Sequence, residues 1–340
     1  MNAYINTYES FCCAGNTQEL LDAIDSKTTG ITIDTSYIHN TPVGLGKMKN
    51  QDFFYVLEDV VAKILSTSNL DDFSDTLLIV GSSVGGMKES EEHYFRDKNY
   101  TNISPQRHAV SVIAEDLQKK FNFYDFRSIS TACTSSANAL LLAKRLIGVG
   151  AYKNILVIGA DSLCYTTVCG FHALSVLSSK VCTPFEEGRE GMNVAEAVAG
   201  LLIQDIQTKD SIELLGVGAS SDAYHMTNPD PEAKGAITSM QNALKDAELD
   251  SYKIDYINAH GTGTQANDRV ESLAINTVCP DAVFSSTKSI TGHTLGAAGA
   301  IEAVISCESI KRDKNINYVL SNSFAFGGNN TSLIFGACDL

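Results

Sequence analysis

In Ile129-Ser130-Thr131-Ala132-Cys133-Thr134-Ser135-Ser136, a short β-prone run stops at a cysteine, and a helix-like stretch, Ala137 to Ile147, begins at once. The first turn of a helix presents free backbone N–H groups and the positive end of the helix dipole. Both favour a thiolate over a thiol, so the segment predicts a nucleophilic Cys133. Most cysteines are inert core residues, and a catalytic role for this one depends on the rest of the chain.

Apolar runs of strand length alternate with helical patterns on both sides of Cys133, which predicts an α/β fold. A capping box at Asn16 and Glu19 and a helical repeat from Phe53 to Leu65 indicate two earlier helices. The predicted strands are Leu77 to Val80, Ile155 to Ile158, Leu201 to Ile203, Leu214 to Val217, Asp255 to Ile257 and a last strand, Thr331 to Phe335. The other helical patterns cover about Ala109 to Phe121, Ile237 to Ala247, Val270 to Val278 and Ala297 to Ile310.

The acidic stretch from Gln204 to Asp210 is a plausible joint between two halves of one compact unit. We therefore divide the chain at 206/207, with Cys133 in the first half. Gly81-Ser82-Ser83-Val84-Gly85-Gly86 follows a predicted strand, but it has neither the Walker lysine nor the spacing of a dinucleotide loop. It predicts a tight structural turn.

Composition excludes several classes of function. A net charge of −15 argues against nucleic-acid binding, which requires a basic face. The nine cysteines are scattered and are expected to be thiols, and no cysteine or histidine spacing indicates a metal site. No run approaches the length of a membrane span, and the N-terminus lacks the features of an export signal, so we expect a cytoplasmic protein.

Three further segments carry polar chemistry. His260 lies in Asn258-Ala259-His260-Gly261-Thr262-Gly263-Thr264, where small neighbours let a bulky substrate approach the imidazole. His293 lies in Ser286-Thr287-Lys288-Ser289-Ile290-Thr291-Gly292-His293-Thr294-Leu295-Gly296-Ala297-Ala298-Gly299, before a helix of small residues. In Ser321-Asn322-Ser323-Phe324-Ala325-Phe326-Gly327-Gly328-Asn329-Asn330, two glycines follow an aromatic, which suits an oxyanion hole of backbone N–H groups. A lone histidine is more often a core or surface residue.

Together these four segments resemble the β-ketoacyl-acyl-carrier-protein synthases of the elongating type, in the thiolase superfamily. The resemblance spans about Leu77 to Gly336, in the family's order. It implies a thiolase-like fold of two pseudo-repeated halves in five α-β-α-β-α layers. It also implies a decarboxylative Claisen condensation with malonyl-carrier protein, in fatty-acid or polyene chain elongation.

The resemblance assigns roles to residues. Cys133 would carry the acyl group, with the N–H groups of Cys133 and Phe326 as the oxyanion hole, and Phe326 would also gate the site. His260 and His293 would stabilise the enolate-like oxygen. Lys288 would order the site through a carboxylate such as Glu302, and Thr262 and Thr264 would contact the phosphopantetheine arm. Asp268 and Glu271 are expected to form a structural ion network.

The implied partners are an acyl carrier protein, whose phosphopantetheine holds the substrates, and a second subunit in a homodimer or in a heterodimer with a chain-length-factor-like protein. No bound cofactor is expected. An acidic carrier needs a local basic patch on this acidic chain. Lys47, Lys49, Lys119, Lys120 and Arg127 are candidates for it, although solvated helix ends are an equal alternative.

The chain departs from the family at several positions. Residues Lys311 to Val319 form a short connection without proline, the part before Leu77 is abbreviated, and Ala325 stands where most relatives have glycine. If that position needs a positive φ, alanine costs about 1 kcal/mol. The stretch Met192 to Ala199 is closer to ketosynthases of aryl-polyene pathways, and Gln106-Arg107-His108 replaces residues that are often apolar.

Two other functions remain as alternatives. A catalytically silent chain-length-factor-like subunit shares the fold but typically lacks the nucleophile, so Cys133 and both histidines argue against it. A cysteine hydrolase would leave the second imidazole and the Phe-Gly loop unexplained.

Overall fold

Strands and helices alternate along the chain as the sequence predicts. The computed structural model describes residues 1–49 and 51–338. The strands are β1 Tyr4–Cys12, β2 Gly15–Asn16, β3 Thr32–Asp34, β4 Val43–Gly46, β5 Thr76–Gly81, β6 Asp125–Ile129, β7 Asn154–Asp161, β8 Val194–Ala195, β9 Ala197–Gln204, β10 Ile212–Ser221, β11 Tyr256–Asn258, β12 Val283–Ser285, β13 Tyr318–Phe324 and β14 Asn329–Ala337. The helices are α1 Thr17–Ser26, α2 Phe53–Thr67, α3 Met87–Asp97, α4 Pro105–His108, α5 Val112–Phe121, α6 Ser135–Gly148, α7 Tyr165–Ala173, α8 Lys234–Asp246, α9 Gln265–Val278, α10 Lys288–Thr291 and α11 Ala298–Arg312, with 3₁₀ turns at Ser251–Lys253 and Leu295–Ala297.

One large sheet contains two halves with the same internal order. From edge to edge its main path runs β12-β11-β13-β14-β10-β1-β9-β7-β5-β6, with β2 attached to β1, and β10 meets β1 as an antiparallel pair. Numbered separately along the chain, the five main-path strands of each half take the order 3-2-4-5-1 from the outer edge to the centre. The duplicated fold is therefore confirmed in topology. The division at 206/207 stays a prediction.

Helices stack on both faces of the two half-sheets and produce five layers. Helices α6 and α11 contact each other, and each contacts strands of both halves, so they form the central layer. Helices α2 and α5 cover the outer face of the first half, while α8 and α9 cover that of the second. The α-β-α-β-α layering is thus confirmed. Strands β5, β7 and β9 are almost fully apolar because both faces of their half-sheet are covered.

The local predictions hold, with shifts at the ends of elements. The capping box at Asn16 and Glu19 is present at the start of α1. The helix expected from Ala109 begins at Val112 because Pro105 starts a separate short helix, α4, which Ser104 caps. The Gly81–Gly86 segment is a structural turn, as predicted, and the backbone N–H groups of Ser83 and Val84 donate to the carboxylate of Asp161.

The short connection between α11 and β13 is closed by two aspartates. Asp313 accepts hydrogen bonds from the backbone and side chain of Asn315, and Asp255 accepts from the backbone N–H groups of Asn317 and Tyr318. These contacts hold the short connection between the two elements. None of the helices within residues 1–49 and 51–338 is long and apolar enough to cross a membrane.

Candidate active site

Cys133 occupies a tight turn between β6 and α6. The preceding residue, Ala132, has a φ of +52°, a left-handed conformation that costs a residue with a side chain about 1–2 kcal/mol. Hydrogen bonds hold the turn in place: the hydroxyls of Thr134 and Ser135 donate to the carbonyls of Thr131 and Ala132 at 2.7 and 2.6 Å. The strained turn therefore places the thiol just before the start of α6, a helix of the central layer.

Two backbone N–H groups face the thiol. The N–H groups of Cys133 and Phe326 interact with its sulfur, the arrangement predicted for an oxyanion hole. Burial nevertheless raises the pKa of the Cys133 thiol to about 11, against the opposing effects of the Lys288 charge and the Phe326 N–H. The expectation that the helix start favours a thiolate is therefore wrong for the unacylated site, because desolvation outweighs the helix terminus.

His293 is buried and holds one tautomer. It lies between α10 and the 3₁₀ turn, and the backbone N–H of Leu295 donates to its Nδ1 at 3.0 Å. Burial and the Lys288 charge lower the pKa of His293 to about 3, so the ring is neutral at neutral pH. A neutral imidazole that accepts at Nδ1 carries its proton on Nε2. The ring is thus a hydrogen-bond donor at Nε2.

Lys288 gives His260 the same neutral tautomer, with the proton on Nε2. The ammonium of Lys288 lies 3.4 Å from Nδ1 of His260 and donates to the His260 carbonyl at 2.5 Å. Burial, Lys288 and His293 all lower the pKa of His260 well below its usual value. An ammonium only donates, so Nδ1 is the acceptor and Nε2 holds the proton.

Lys288 is itself fully buried and is paired with Glu302 on α11. This is the carboxylate that the sequence singled out for it. Burial raises the pKa of Glu302 to about 7, and the Lys288 charge opposes the rise. An unpaired ammonium in this environment would carry a large desolvation penalty, so the pair keeps a charge next to His260.

Asp268 and Glu271, both on α9, hold the histidine loop through its backbone. Glu271 accepts the N–H groups of His260 and Gly261 at 2.8 and 2.7 Å. Asp268 accepts the Gly263 N–H at 3.2 Å and lies 3.2 Å from the guanidinium of Arg189. Their contacts are those of the predicted structural network.

The thiol and both imidazoles converge. The sulfur of Cys133 and one ring nitrogen of each histidine lie within 4.8 Å of one another, and the two rings meet edge to face with centroids 5.2 Å apart. A thiol and two imidazoles are also common zinc ligands. The spacing of these three residues in the sequence did not indicate that they would meet. Because Leu295 and Lys288 occupy the Nδ1 atoms, the protonated Nε2 atoms are suited to donate hydrogen bonds rather than to bind a metal.

A cavity of about 100 Å³ opens from this cluster. Its wall includes Thr262, Thr264 and Phe326, so the predicted site residues other than Lys288 line one space. The threonine hydroxyls lie 2.9 Å apart, and the Phe326 ring packs against Phe171 with centroids 6.0 Å apart. Lys288 is placed behind His260, as a residue that orders the site would be.

In the loop after β13, the residues with left-handed backbone are glycines. Gly327 and Gly328 have φ of +86° and +80°, whereas Ala325 does not have a positive φ. A side chain at Gly328 would collide with the carbonyl of Asp222. The concern that alanine at 325 strains the loop is therefore wrong, because the turn is made one residue after Phe326.

The candidate basic patch is largely neutralised by nearby carboxylates. Lys47 pairs with Asp34 at 2.5 Å and Arg127 with Asp125 at 2.7 Å, and Lys120 pairs with Glu58. These pairs do not cover Lys49 and Lys119, so the basic patch and its alternative, solvated helix ends, both stay predictions. Arg107 pairs with Glu89 and Asp116, both at 2.7 Å.

The sequence analysis missed two residues whose hydrogen bonds hold the site in place. Asn138 on α6 donates to the Thr131 hydroxyl at 2.9 Å and accepts from Thr331 of β14 at 2.8 Å, which ties the strained turn to the second half. Asp161, at the end of β7, is fully buried. A polar residue at the end of an otherwise apolar strand was the available signal for Asp161.

Comparison with known proteins gives consistent matches. The family model described as β-ketoacyl synthase, N-terminal domain, matches residues 40–209, and the C-terminal domain model of the same family matches residues 212–318. The chain is 34% identical to 3-oxoacyl-[acyl-carrier-protein] synthase 2 of Coxiella burnetii, over 75% of this chain and 73% of the relative. It is 32% identical to the protein of that name in Rhizobium meliloti, over 78% and 74% of the two chains.

Solved structures agree with this relationship. One chain of the complex between the ketosynthase ApeO and its chain length factor ApeC, from Xenorhabdus doucetiae, is 30% identical with a TM-score of 0.88. The alignment covers 99% of this chain and 98% of that chain.

Proposed function

This chain belongs to the β-ketoacyl synthase family, and we propose that it extends an acyl chain by decarboxylative Claisen condensation, with Cys133 as the acyl carrier. The observation that carries the proposal is the convergence of Cys133, His260 and His293 within 4.8 Å, with both imidazoles neutral and protonated at Nε2. Two such donors suit an oxygen that gains negative charge.

In the first step the Cys133 sulfur attacks the thioester carbonyl of an acyl group on phosphopantetheine. The carbonyl oxygen becomes an oxyanion, which the N–H groups of Cys133 and Phe326 stabilise. The pantetheine sulfur then leaves and takes up the proton that the thiol loses. The products are acyl-Cys133 and free carrier protein.

In the second step a malonyl-carrier protein binds. Breaking the carbon–carboxylate bond releases carbon dioxide and leaves the electron pair as an enolate, whose oxygen accepts hydrogen bonds from Nε2 of His260 and His293. The enolate carbon attacks acyl-Cys133, and the Cys133 thiolate leaves and is protonated. Lys288, paired with Glu302, orders His260 through its ring nitrogen and its carbonyl.

We assign Thr262 and Thr264 to the phosphopantetheine arm, because their hydroxyls line the cavity beside the histidine loop. Phe326 acts as a gate between the acyl and malonyl positions, packed against Phe171. The carrier protein is the partner that delivers both substrates. No further cofactor enters these steps.

The second subunit that we propose is either another copy or a chain-length-factor-like protein. Strand β6 is an edge of the main sheet, and exposed aromatics, Phe95 and Tyr100, extend from the α3 region. The match to the ketosynthase–chain length factor complex ApeO–ApeC supports the heterodimer. The resemblance of Met192 to Ala199 to aryl-polyene ketosynthases supports a polyene-type pathway. The cytoplasmic location stays a prediction from the sequence.

Intact mass spectrometry tests the proposal. Purified protein is incubated with acyl-carrier protein and then with malonyl-carrier protein. We expect an acyl adduct that is lost on chain extension, no adduct in Cys133→Ala, and a normal adduct in Cys164→Ala, a matched buried cysteine. No adduct on the native chain, with activity only when a partner subunit is added, would instead support the silent subunit.

A further inference from the structure

One fully buried carboxylate takes no part in the steps above. Asp161, at the end of β7, accepts hydrogen bonds from the hydroxyls of Ser82 and Ser83 at 2.6 and 2.5 Å. Its oxygens also accept the backbone N–H groups of Ser83, Val84 and Gly296, at 3.0, 2.9 and 2.6 Å. All of these partners donate, so the carboxylate is the acceptor that joins them.

One side of this cluster supports the thiol segment. The Gly81–Gly86 turn packs against the start of α6, so closely that a side chain at Gly81 would lie 2.5 Å from the backbone of Ser136. The Ser136 hydroxyl in turn accepts the N–H of Ala300 at 2.9 Å, on the helix that follows His293. The turn that Asp161 binds is thus in contact with the helix that follows Cys133.

The other side supports a histidine. Gly296, whose N–H donates to Asp161, follows Leu295, which has a strained φ of +54°. This conformation aims the Leu295 N–H at Nδ1 of His293. The space around Gly296 is filled, since a side chain there would lie 2.7 Å from both the Asp161 oxygen and the Ser83 nitrogen.

We propose that Asp161 is a positioning residue, which holds the Leu295–Ala297 turn so that His293 is kept in the tautomer that donates from Nε2. This inference rests on the proposed role of His293. A charged carboxylate is required because an amide in its place would turn a donor towards at least one of these N–H or O–H groups. Without the contact to Gly296, the left-handed Leu295 relaxes and its N–H leaves His293.

Asp161→Asn tests the proposal with two measurements. Nitrogen NMR of histidine-labelled protein reports the tautomer of His293, assigned by comparison with His293→Gln. We expect the His293 nitrogens to shift towards a mixture of tautomers. Malonyl decarboxylation should fall by about 100-fold, the scale of a lost oxyanion donor, while acylation of Cys133 changes by roughly threefold or less.

Ser83→Ala is the matched control, because it removes one hydrogen bond from the same carboxylate and leaves the Gly296 contact. It should keep the His293 signals of the native protein. If Asp161→Asn does not fold, Gly296→Ala breaks the same contact from the other side and should give the same tautomer shift.

The outcomes separate this inference from the proposed function. Native His293 signals in Asp161→Asn, or equal loss of acylation and decarboxylation without a tautomer change, would overturn the positioning role. Decarboxylation that survives in His293→Ala would contradict the proposed function instead.

Discussion

The backbone N–H of Leu295 donates to Nδ1 of His293 at 3.0 Å, and this single contact decides which ring nitrogen carries the proton. A buried neutral imidazole with its Nδ1 occupied has only an Nε2–H to offer. In this state it donates to an oxygen and does not accept the proton of a thiol. The geometry therefore divides the work between the N–H groups that serve acyl transfer and the imidazoles that serve decarboxylation.

The first prediction follows from this division. His293→Ala should retain acyl transfer to Cys133 and lose malonyl decarboxylation by about 100-fold or more, because one donor to the enolate oxygen is removed. Intact mass spectrometry measures the first step and carbon dioxide release measures the second. His93→Ala is the control, because this half-buried histidine of α3 does not line the cavity. Equal loss of both steps would show that the division is wrong.

The second prediction concerns the free thiol. With a pKa of about 11, Cys133 is a thiol at neutral pH. Its alkylation rate with iodoacetamide should therefore rise about tenfold per pH unit between about pH 7 and pH 9. Peptide mass spectrometry resolves Cys133 from the other cysteines. A rate that levels off near pH 7 would indicate a thiolate and contradict the effect of burial.

The third prediction concerns the buried ion pair. Lys288→Met should lower the free energy of unfolding by about 3–5 kcal/mol, because it leaves Glu302 buried without its partner. Urea unfolding measures the change. Lys144→Met breaks the more exposed pair with Asp246 and should cost about 1 kcal/mol or less. Similar losses of unfolding free energy in the two variants would mean that burial adds little to the contribution of the Lys288–Glu302 pair.

The fourth prediction is a loss of stability in acid. The pKa of His293 is lowered from 6.5 to about 3 in the folded state, so the unfolded chain binds the extra proton first. Stability therefore falls as the pH drops below about 6.5, by about 2 kcal/mol for this group at pH 5. In His293→Asn the difference between urea unfolding at pH 7 and at pH 5 should shrink by that amount. An unchanged difference would show that groups other than His293 cause the loss of stability in acid.

The fifth prediction separates the residues of the Phe326 loop. Gly327→Ala should cost about 1 kcal/mol for its left-handed backbone, and Gly328→Ala about 3 kcal/mol, because a collision with Asp222 is added. Ala325→Gly should bring no gain, since that residue lacks a positive φ. Urea unfolding of the three variants gives the ranking. A stabilising Ala325→Gly would show strain at 325.

Much of the fold follows from local patterns. Fully buried strands such as β5 and β7 are continuous apolar runs, and amphipathic helices such as α2 repeat at helical spacing. Strand β1 was missed because polar residues such as Glu9 and Ser10 interrupt its apolar pattern, although it lies where the two half-sheets meet. The position of β1 in the sheet depends on pairing with β9 and β10, which lie almost two hundred or more positions later in the sequence.

The sequence by itself determined which residues carry the chemistry, because four segments of specific composition appear in one order. It also determined the α/β class, since strand and helix patterns are local. The tertiary structure alone decided the ionisation of Cys133, the tautomers of His260 and His293, and the link through Asp161. These depend on burial and on contacts between residues far apart in the chain, which desolvate a thiol or hold a ring nitrogen in a way that no local pattern records.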